Sequence, residues 1–154
     1  MRTRAYSRRI FLGSAVLAPV VLIGCGGQEV DLSQPPQITL GRDTCDGCGM
    51  IISDERYAAG LVAPDGTASL FDDVGEMLQA LGDDKLGERR AWVHDWNSRE
   101  WIDATTGSYV RGEEAVTPMG FGIVAFGARE DAEAFAVERG APVLTWDEVV
   151  ALDL

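Results

Sequence analysis

The chain is poor in the residues on which many functions are built. Its 154 residues include one histidine, His94, and three cysteines, Cys25, Cys45 and Cys48. A closed structural zinc site needs four protein ligands. After Cys45 and Cys48 the chain offers only His94 and no further cysteine, so such a site is poorly supported. Basic residues are scarce: 13 Lys+Arg stand against 25 Asp+Glu, a formal net charge of −12. Such a surface repels nucleic acid and anionic lipid headgroups, and attracts cations or a basic partner. No apolar run reaches the ~20 residues that a transmembrane helix needs. The sequence has no nucleophile paired with a base, no glycine-rich phosphate loop and no metal-protease motif, so nothing in it supports catalysis.

What is present begins with an address. Four arginines and no acid lie in residues 1–9, an apolar stretch interrupted by Gly13 and Pro19 fills residues 10–23, and Gly24-Cys25 follows. That order of positive region, short apolar region and small residue is a secretory signal. Ser7-Arg8-Arg9-Ile10-Phe11-Leu12 resembles a twin-arginine export signal, and Leu22-Ile23-Gly24-Cys25 resembles a bacterial lipobox, whose cysteine is acylated. Residues 1–24 are therefore expected to be a signal peptide, Cys25 the lipidation site, and residues 25–36 a tether carrying Gly26-Gly27 and Pro35-Pro36. Each buried acyl CH₂ adds ~0.8 kcal/mol, so several chains hold a domain at a membrane without spanning it. The expected location is exported and lipid-anchored, facing the periplasm or the cell exterior. Without the four signal arginines, 9 basic residues face 25 acidic ones, a net charge of −16.

The informative stretch is Asp43-Thr44-Cys45-Asp46-Gly47-Cys48-Gly49-Met50-Ile51. Two thiols and a thioether lie within six residues, with glycines that let the backbone bend around a small object. Thiolate and thioether are soft donors that select Cu(I) over hard ions. A disulfide between Cys45 and Cys48 would close a very short loop and remove little unfolded-state entropy, which shifts weight toward metal or redox use. Thioredoxin-like chemistry wants the cysteine pair at the start of a helix after a strand, and here it sits in glycine-rich loop sequence. Met77 fits a helix's inner face as ordinary core filler, whereas Met50 beside the thiols does not. Met119, between Pro118 and Gly120, stands evenly between filler and ligand. His94, flanked by Trp92 and Trp96, reads first as a packed strand residue and only then as a ligand.

The remainder predicts an α+β fold of two small lobes, each of antiparallel strands plus helix, within residues 37–154, the lobes lying at about 37–86 and 87–154. Strands are expected at 37–40, 57–63, 67–71, 90–95, 101–104, 121–126 and 142–144, with Pro64-Asp65-Gly66 as a hairpin turn. A break is expected at Thr106-Gly107-Ser108, and a loop at 117–120. Helices are expected after Asp73, with Glu76 completing a capping box, over 128–138 ending at Gly140, and over 147–152. Asp72-Asp73 and Glu113-Glu114 read as helix-cap and solvated-loop pairs.

Taken together, the lipobox at Cys25, the Cys45-Asp-Gly-Cys48-Gly-Met50-Ile51 element, Trp101-Ile-Asp-Ala104, and Pro118-Met119-Gly120 before Ala125-Phe126 resemble the NosL family, accessory lipoproteins of nitrous-oxide reductase. The resemblance covers nearly the whole chain after the signal. It implies a two-lobed α+β fold similar to an organomercurial-lyase domain, and a Cu(I) chaperone that is not an enzyme. It also implies a membrane-associated copper-centre assembly complex as partner, with nitrous-oxide reductase or another cuproenzyme as client. The ligand set it suggests is Cys48 and Met50, with Met119 closing from the other lobe and Cys45 either binding or shaping the knuckle. His94 stands in reserve. The competing readings are a thiol-disulfide oxidoreductase using Cys45 and Cys48, and a lipoprotein whose cysteine pair is only structural.

Overall fold

The computed structural model describes residues 31–82, 86–112 and 115–154. The signal peptide, Cys25, the first part of the tether, Asp83-Asp84-Lys85 and Glu113-Glu114 lie outside the described residues.

The first sheet grows from two hairpins. β1 (Ala59–Val62) returns as β2 (Ala68–Phe71) across Pro64-Asp65-Gly66. Gly66 turns the chain at φ 86°, and Asp65 Oδ1 accepts from Thr67 N at 2.9 Å. β3 (Arg90–His94) pairs antiparallel with β1 and returns as β4 (Trp101–Asp103), giving the order β2-β1-β3-β4. All four residues of β1 are buried, since both its faces are covered. On one face lies α1 (Val74–Leu81), whose Val74, Met77, Leu78 and Leu81 are buried, as their spacing predicts. On another side the N-terminal segment passes over β1 so closely that a Cβ on Gly60 would meet Pro36 Cγ at 2.6 Å.

That segment is not the strand expected at 37–40. Thr39 O accepts from Arg42 N and Asp43 N, and Thr39 N donates to Asp43 Oδ2 at 2.6 Å, so the chain turns on itself instead of joining a ladder. The expected capping box of α1 is also half absent. Asp73 caps the helix through Gly75 N at 2.9 Å, but the Glu76 carboxylate is engaged elsewhere.

The second sheet, in the order β6-β5-β7, contains an element that the expected break at 106–108 hides. A 3-10 turn at Ala104–Thr106 leads directly into β5 (Ser108–Arg111), the central strand. Tyr109 on β5 is fully buried and its hydroxyl donates to Ala104 O at 2.6 Å. β6 (Ile123–Phe126) begins later than expected because Gly122 sits at φ 66°, outside the extended region. α2 (Arg129–Arg139) buries Ala132 and Ala136 and stops at Gly140 in the left-handed conformation. β7 (Val143–Leu144) and α3 (Trp146–Val150) come next, the latter opened by a Thr145–Glu148 capping box.

The class is α+β, with two antiparallel sheets and three helices among the described residues. β3 and β4 belong to the first sheet, so the change of sheet comes between Asp103 and Ser108, beyond the expected lobe boundary near 86. The sheets meet at the β3–β4 turn. Asp95 bridges in parallel to Ala125, Trp96 N donates to Ala125 O at 2.8 Å, and Asp95 Oδ2 accepts from Gly127 N at 2.7 Å. One core accordingly takes Leu61, Val93 and Met77 together with Tyr109, Ile123 and Ala125.

Candidate metal centre

The Cys45–Met50 segment forms a closed knuckle. Thr44 bridges Ile51, Cys45 N donates to Met50 O at 2.8 Å, and Gly49 N donates to Cys45 O at 2.9 Å with Gly49 at φ 76°. Asp46 fastens the knuckle to the outer edge of β2. Its N donates to Leu70 O and its carboxylate accepts from Leu70 N, both at 2.8 Å. Because α1 starts immediately after β2, this stitch lays the two thiols against the helix's first turn.

There they meet two carboxylates. Cys45 Sγ donates to Glu76 Oε2 at 2.7 Å, and Cys48 Sγ lies 3.7 Å from Asp72 Oδ1. Donor atoms of Cys45, Cys48, Asp72 and Glu76 all lie within 4.8 Å of one another. Gly47 allows the approach, since a Cβ there would stand 3.2 Å from the Glu76 carboxyl carbon. Burial, together with the bond to Glu76, pushes the Cys45 thiol up to about 12. Burial and the neighbouring Asp72 charge raise Glu76 as well, against the thiol hydrogen bonds that pull it down. Cys45 thus holds its proton in the metal-free site, and a metal entering on its thiolate must displace it.

Sequence reasoning missed Asp72 and Glu76, reading them as cap residues. The available signal was two acids placed on either side of the Asp73 cap at the start of a helix. Their presence also amends the zinc argument: the chain has a four-donor group after all, completed by oxygen instead of histidine.

The methionines divide as their exposures show. Met77 is fully buried, whereas Met50 is 43% and Met119 40% exposed, which removes the core-filler reading for these two. Met50 leaves the knuckle two residues after Cys48. Met119 belongs to the loop 117–122, held to the start of α1 where Met119 N donates to Asp73 Oδ2 at 3.0 Å. Leu40, Ile51 and Val116 are the other large apolar residues left open around these two loops. His94 is not brought to the cluster. It is buried on β3, its Nδ1 lies 3.0 Å from Ala58 O, and its ring stacks 3.7 Å from that of Trp101. Burial holds its pKa below the usual value.

An α+β domain that gathers two thiols and two carboxylates at one helix start has the donor set of a small metal-binding domain. Known proteins place it more closely. The chain belongs to the NosL family, whose model matches residues 36–152. It is similar to the copper-binding lipoprotein NosL of Stutzerimonas stutzeri, 32% identical over 146 residues that cover 88% of this chain and 77% of that protein. Its fold is that of the copper chaperone NosL from Shewanella denitrificans. That crystal structure matches with a TM-score of 0.64 at 24% identity, over 74% of this chain and 94% of the other.

Proposed function

We propose that this chain is an exported, lipid-anchored Cu(I) carrier that takes copper on Cys45 and Cys48 with Met50 and Met119, and passes it to a partner. The observation that carries the reading is the convergence of both thiols at a helix start, with exposed Met50 on the same knuckle and exposed Met119 on a loop bonded to Asp73. Thiolate and thioether select Cu(I). An open site of two or three such ligands lets an incoming partner ligand bind before an old one leaves, which is what transfer requires. Asp72 and Glu76 hold the metal-free thiols. The names of the similar proteins, a copper-binding lipoprotein and a copper chaperone, support a carrier over a catalyst. Membership of the family supports the copper centres of nitrous-oxide reductase as destination, through a membrane-associated assembly complex, with another cuproenzyme as the alternative client. Anchoring rests on Cys25. No helix among the described residues is long and apolar enough to cross a membrane.

The test is titration of the reduced domain, residues 25–154, with Cu(I) against a competing chelator, with X-ray absorption to identify the neighbours. One Cu(I) per chain in a sulfur-dominated shell is expected, together with strong preference over Zn(II). A second reading, a divalent-ion site of two sulfurs and two carboxylate oxygens, draws on the four-donor cluster. Tighter binding of Zn(II), with oxygen neighbours, would select it. For the anchor, Cys25→Ser is expected to move the processed protein from membrane to soluble fractions. Retention at the membrane would assign the anchor elsewhere.

A further inference from the structure

We infer that Asp73 and Thr117 are positioning residues of the metal site, a latch that holds the Met119 loop against the helix turn on which the thiols lie. The inference rests on the Cu(I) reading above. An N-cap needs only one carboxylate oxygen. Asp73 is fully buried, and its Oδ1 alone serves the cap at Gly75 N. Its Oδ2 accepts from Thr117 Oγ1 at 2.6 Å and from Met119 N at 3.0 Å, residues 44 and 46 positions later. Burying a carboxylate is costly unless it is fully hydrogen-bonded, so these bonds depend on one another.

Thr117 is itself a post for the rest of the loop. Its Oγ1 accepts from Gly122 N at 3.1 Å, and its carbonyl accepts from Gly120 N at 3.0 Å. Phe121 then lies so close over Gly75 that no Cβ fits there. The loop is thereby fixed at its start, middle and end to residues 73–75. The residues on either side of that segment, Asp72 and Glu76, are the ones that touch Cys48 and Cys45. A single helix turn sets the thiols and the second thioether in one frame. Phe121 packs, yet the same loop leaves Met119 40% exposed. What the latch fixes is the place of an exposed donor.

The test uses residues 25–154 carrying Thr117→Val, which keeps the side chain's shape and removes the hydroxyl. Cu(I) affinity is expected to fall by roughly ten- to a hundredfold, the range for losing an orienting partner of a ligand. Thr117→Ser is expected to restore it. Met119→Leu is expected to cause a similar loss, and the double variant no further loss, since both changes remove the same donor. Asp73→Ser keeps a cap but cannot reach the loop, and gives the same readout if the valine variant does not fold. Parent-like Cu(I) binding by Thr117→Val, beside a weakened Met119→Leu, overturns the latch and leaves the Cu(I) reading standing. Losses that multiply in the double variant assign Thr117 to general stability and overturn it too. If Met119→Leu binds as the parent does, the loop carries no ligand and the inference falls; Cys48→Ser then decides whether the thiol site stands.

Discussion

Replacing Gly75 by alanine sets two effects of opposite sign against each other. Gly75 is the second residue of α1 and has no positive φ, so alanine brings no backbone strain. In a helix interior alanine is favoured over glycine by about 0.8–1 kcal/mol. The added Cβ, however, would stand 2.1 Å from Phe121 Cγ, 2.4 Å from its Cβ and 2.5 Å from its Cδ2. Carbon atoms in good contact are about 3.5–4.0 Å apart, so Phe121 must retreat by about 1.4 Å or more. Rotating the ring does not clear the clash, because Cβ is fixed to the loop backbone, and the loop itself must move. Overpacking of this kind costs typically about 1–3 kcal/mol. A clash against a backbone-tied atom belongs in the upper part of that range, so a net loss of about 1–2 kcal/mol is expected. Urea unfolding of Gly75→Ala should show a lower midpoint with an unchanged slope. Cu(I) affinity should fall with it, since the displaced loop carries Met119. Phe121→Gly in the Gly75→Ala background, which removes that Cβ together with the ring, should relieve the clash, so the two losses are not additive. A Gly75→Ala protein more stable than the parent would refute the reasoning, by showing that helix propensity outweighs the contact.

Met50→Leu should weaken Cu(I) binding by at least about tenfold with a stability change well under the ~1.5 kcal/mol usual for volume-conserving swaps. Met77→Leu, in the core, should change stability alone; parallel Cu(I) titration and urea unfolding of the two variants checks both. Burial holds the pKa of His94 below the ordinary ~6.5 in the folded state, with the Ala58 carbonyl and Glu55 pulling only partly the other way. Its contribution is complete above pH ~6.5 and is lost as pH falls toward the folded pKa, at up to ~1.4 kcal/mol per pH unit. Glu76, raised in the folded state, acts with the opposite sign. His94→Asn should therefore flatten the fall in urea midpoint between pH 7 and 5, and an unaltered slope would remove His94 as its cause. Tyr109→Phe removes the 2.6 Å hydroxyl donor but leaves Gly107 N donating to Ala104 O at 3.3 Å, and should cost about 0.5–1.5 kcal/mol in thermal or urea unfolding. A loss below measurement would mean that the hydroxyl bond adds nothing to the Gly107 donor already on that carbonyl.

Local signals carried much of the fold. The Pro64-Asp65-Gly66 turn, the inward face of α1, the β3–β4 hairpin and the Gly140 stop depend on chemistry within a few residues, and each is found where its pattern predicts. β5 was illegible because Thr106-Gly107 does break the chain, but only for one 3-10 turn. The tertiary setting, Tyr109 bonded to Ala104 and neighbours on both sides, then makes a strand of residues 108–111. Residues 37–40 have strand-like composition, but the turn at Thr39, whose carbonyl accepts from Arg42 N and Asp43 N, takes them out of an extended run. At the site, the knuckle was readable from its thiols and glycines. Asp72 and Glu76 were not, because their partners lie 24 and 31 residues away and a capping box explained the same letters. Met119 stood undecided because exposure, the property that separates a displayed thioether from a filler, is not written in neighbouring residues.

The distances along the chain that separate the site's members have a kinetic meaning. Cys48 meets Asp72 across 24 residues, Cys45 meets Glu76 across 31, and Met119 meets Asp73 across 46. Each closure costs loop entropy that grows as about (3/2)RT ln n, and nothing near the knuckle repays it until β2, α1 and the 117–122 loop are docked. An unfolded chain therefore offers a metal only the bare Cys45–Met50 segment. An ion that needs the assembled cluster binds the native state alone, and at a hundred times its dissociation constant it stabilises that state by about 2.7 kcal/mol. For such an ion, loading would be coupled to folding: the molecules that hold it would be those whose β2, α1 and 117–122 loop are already docked.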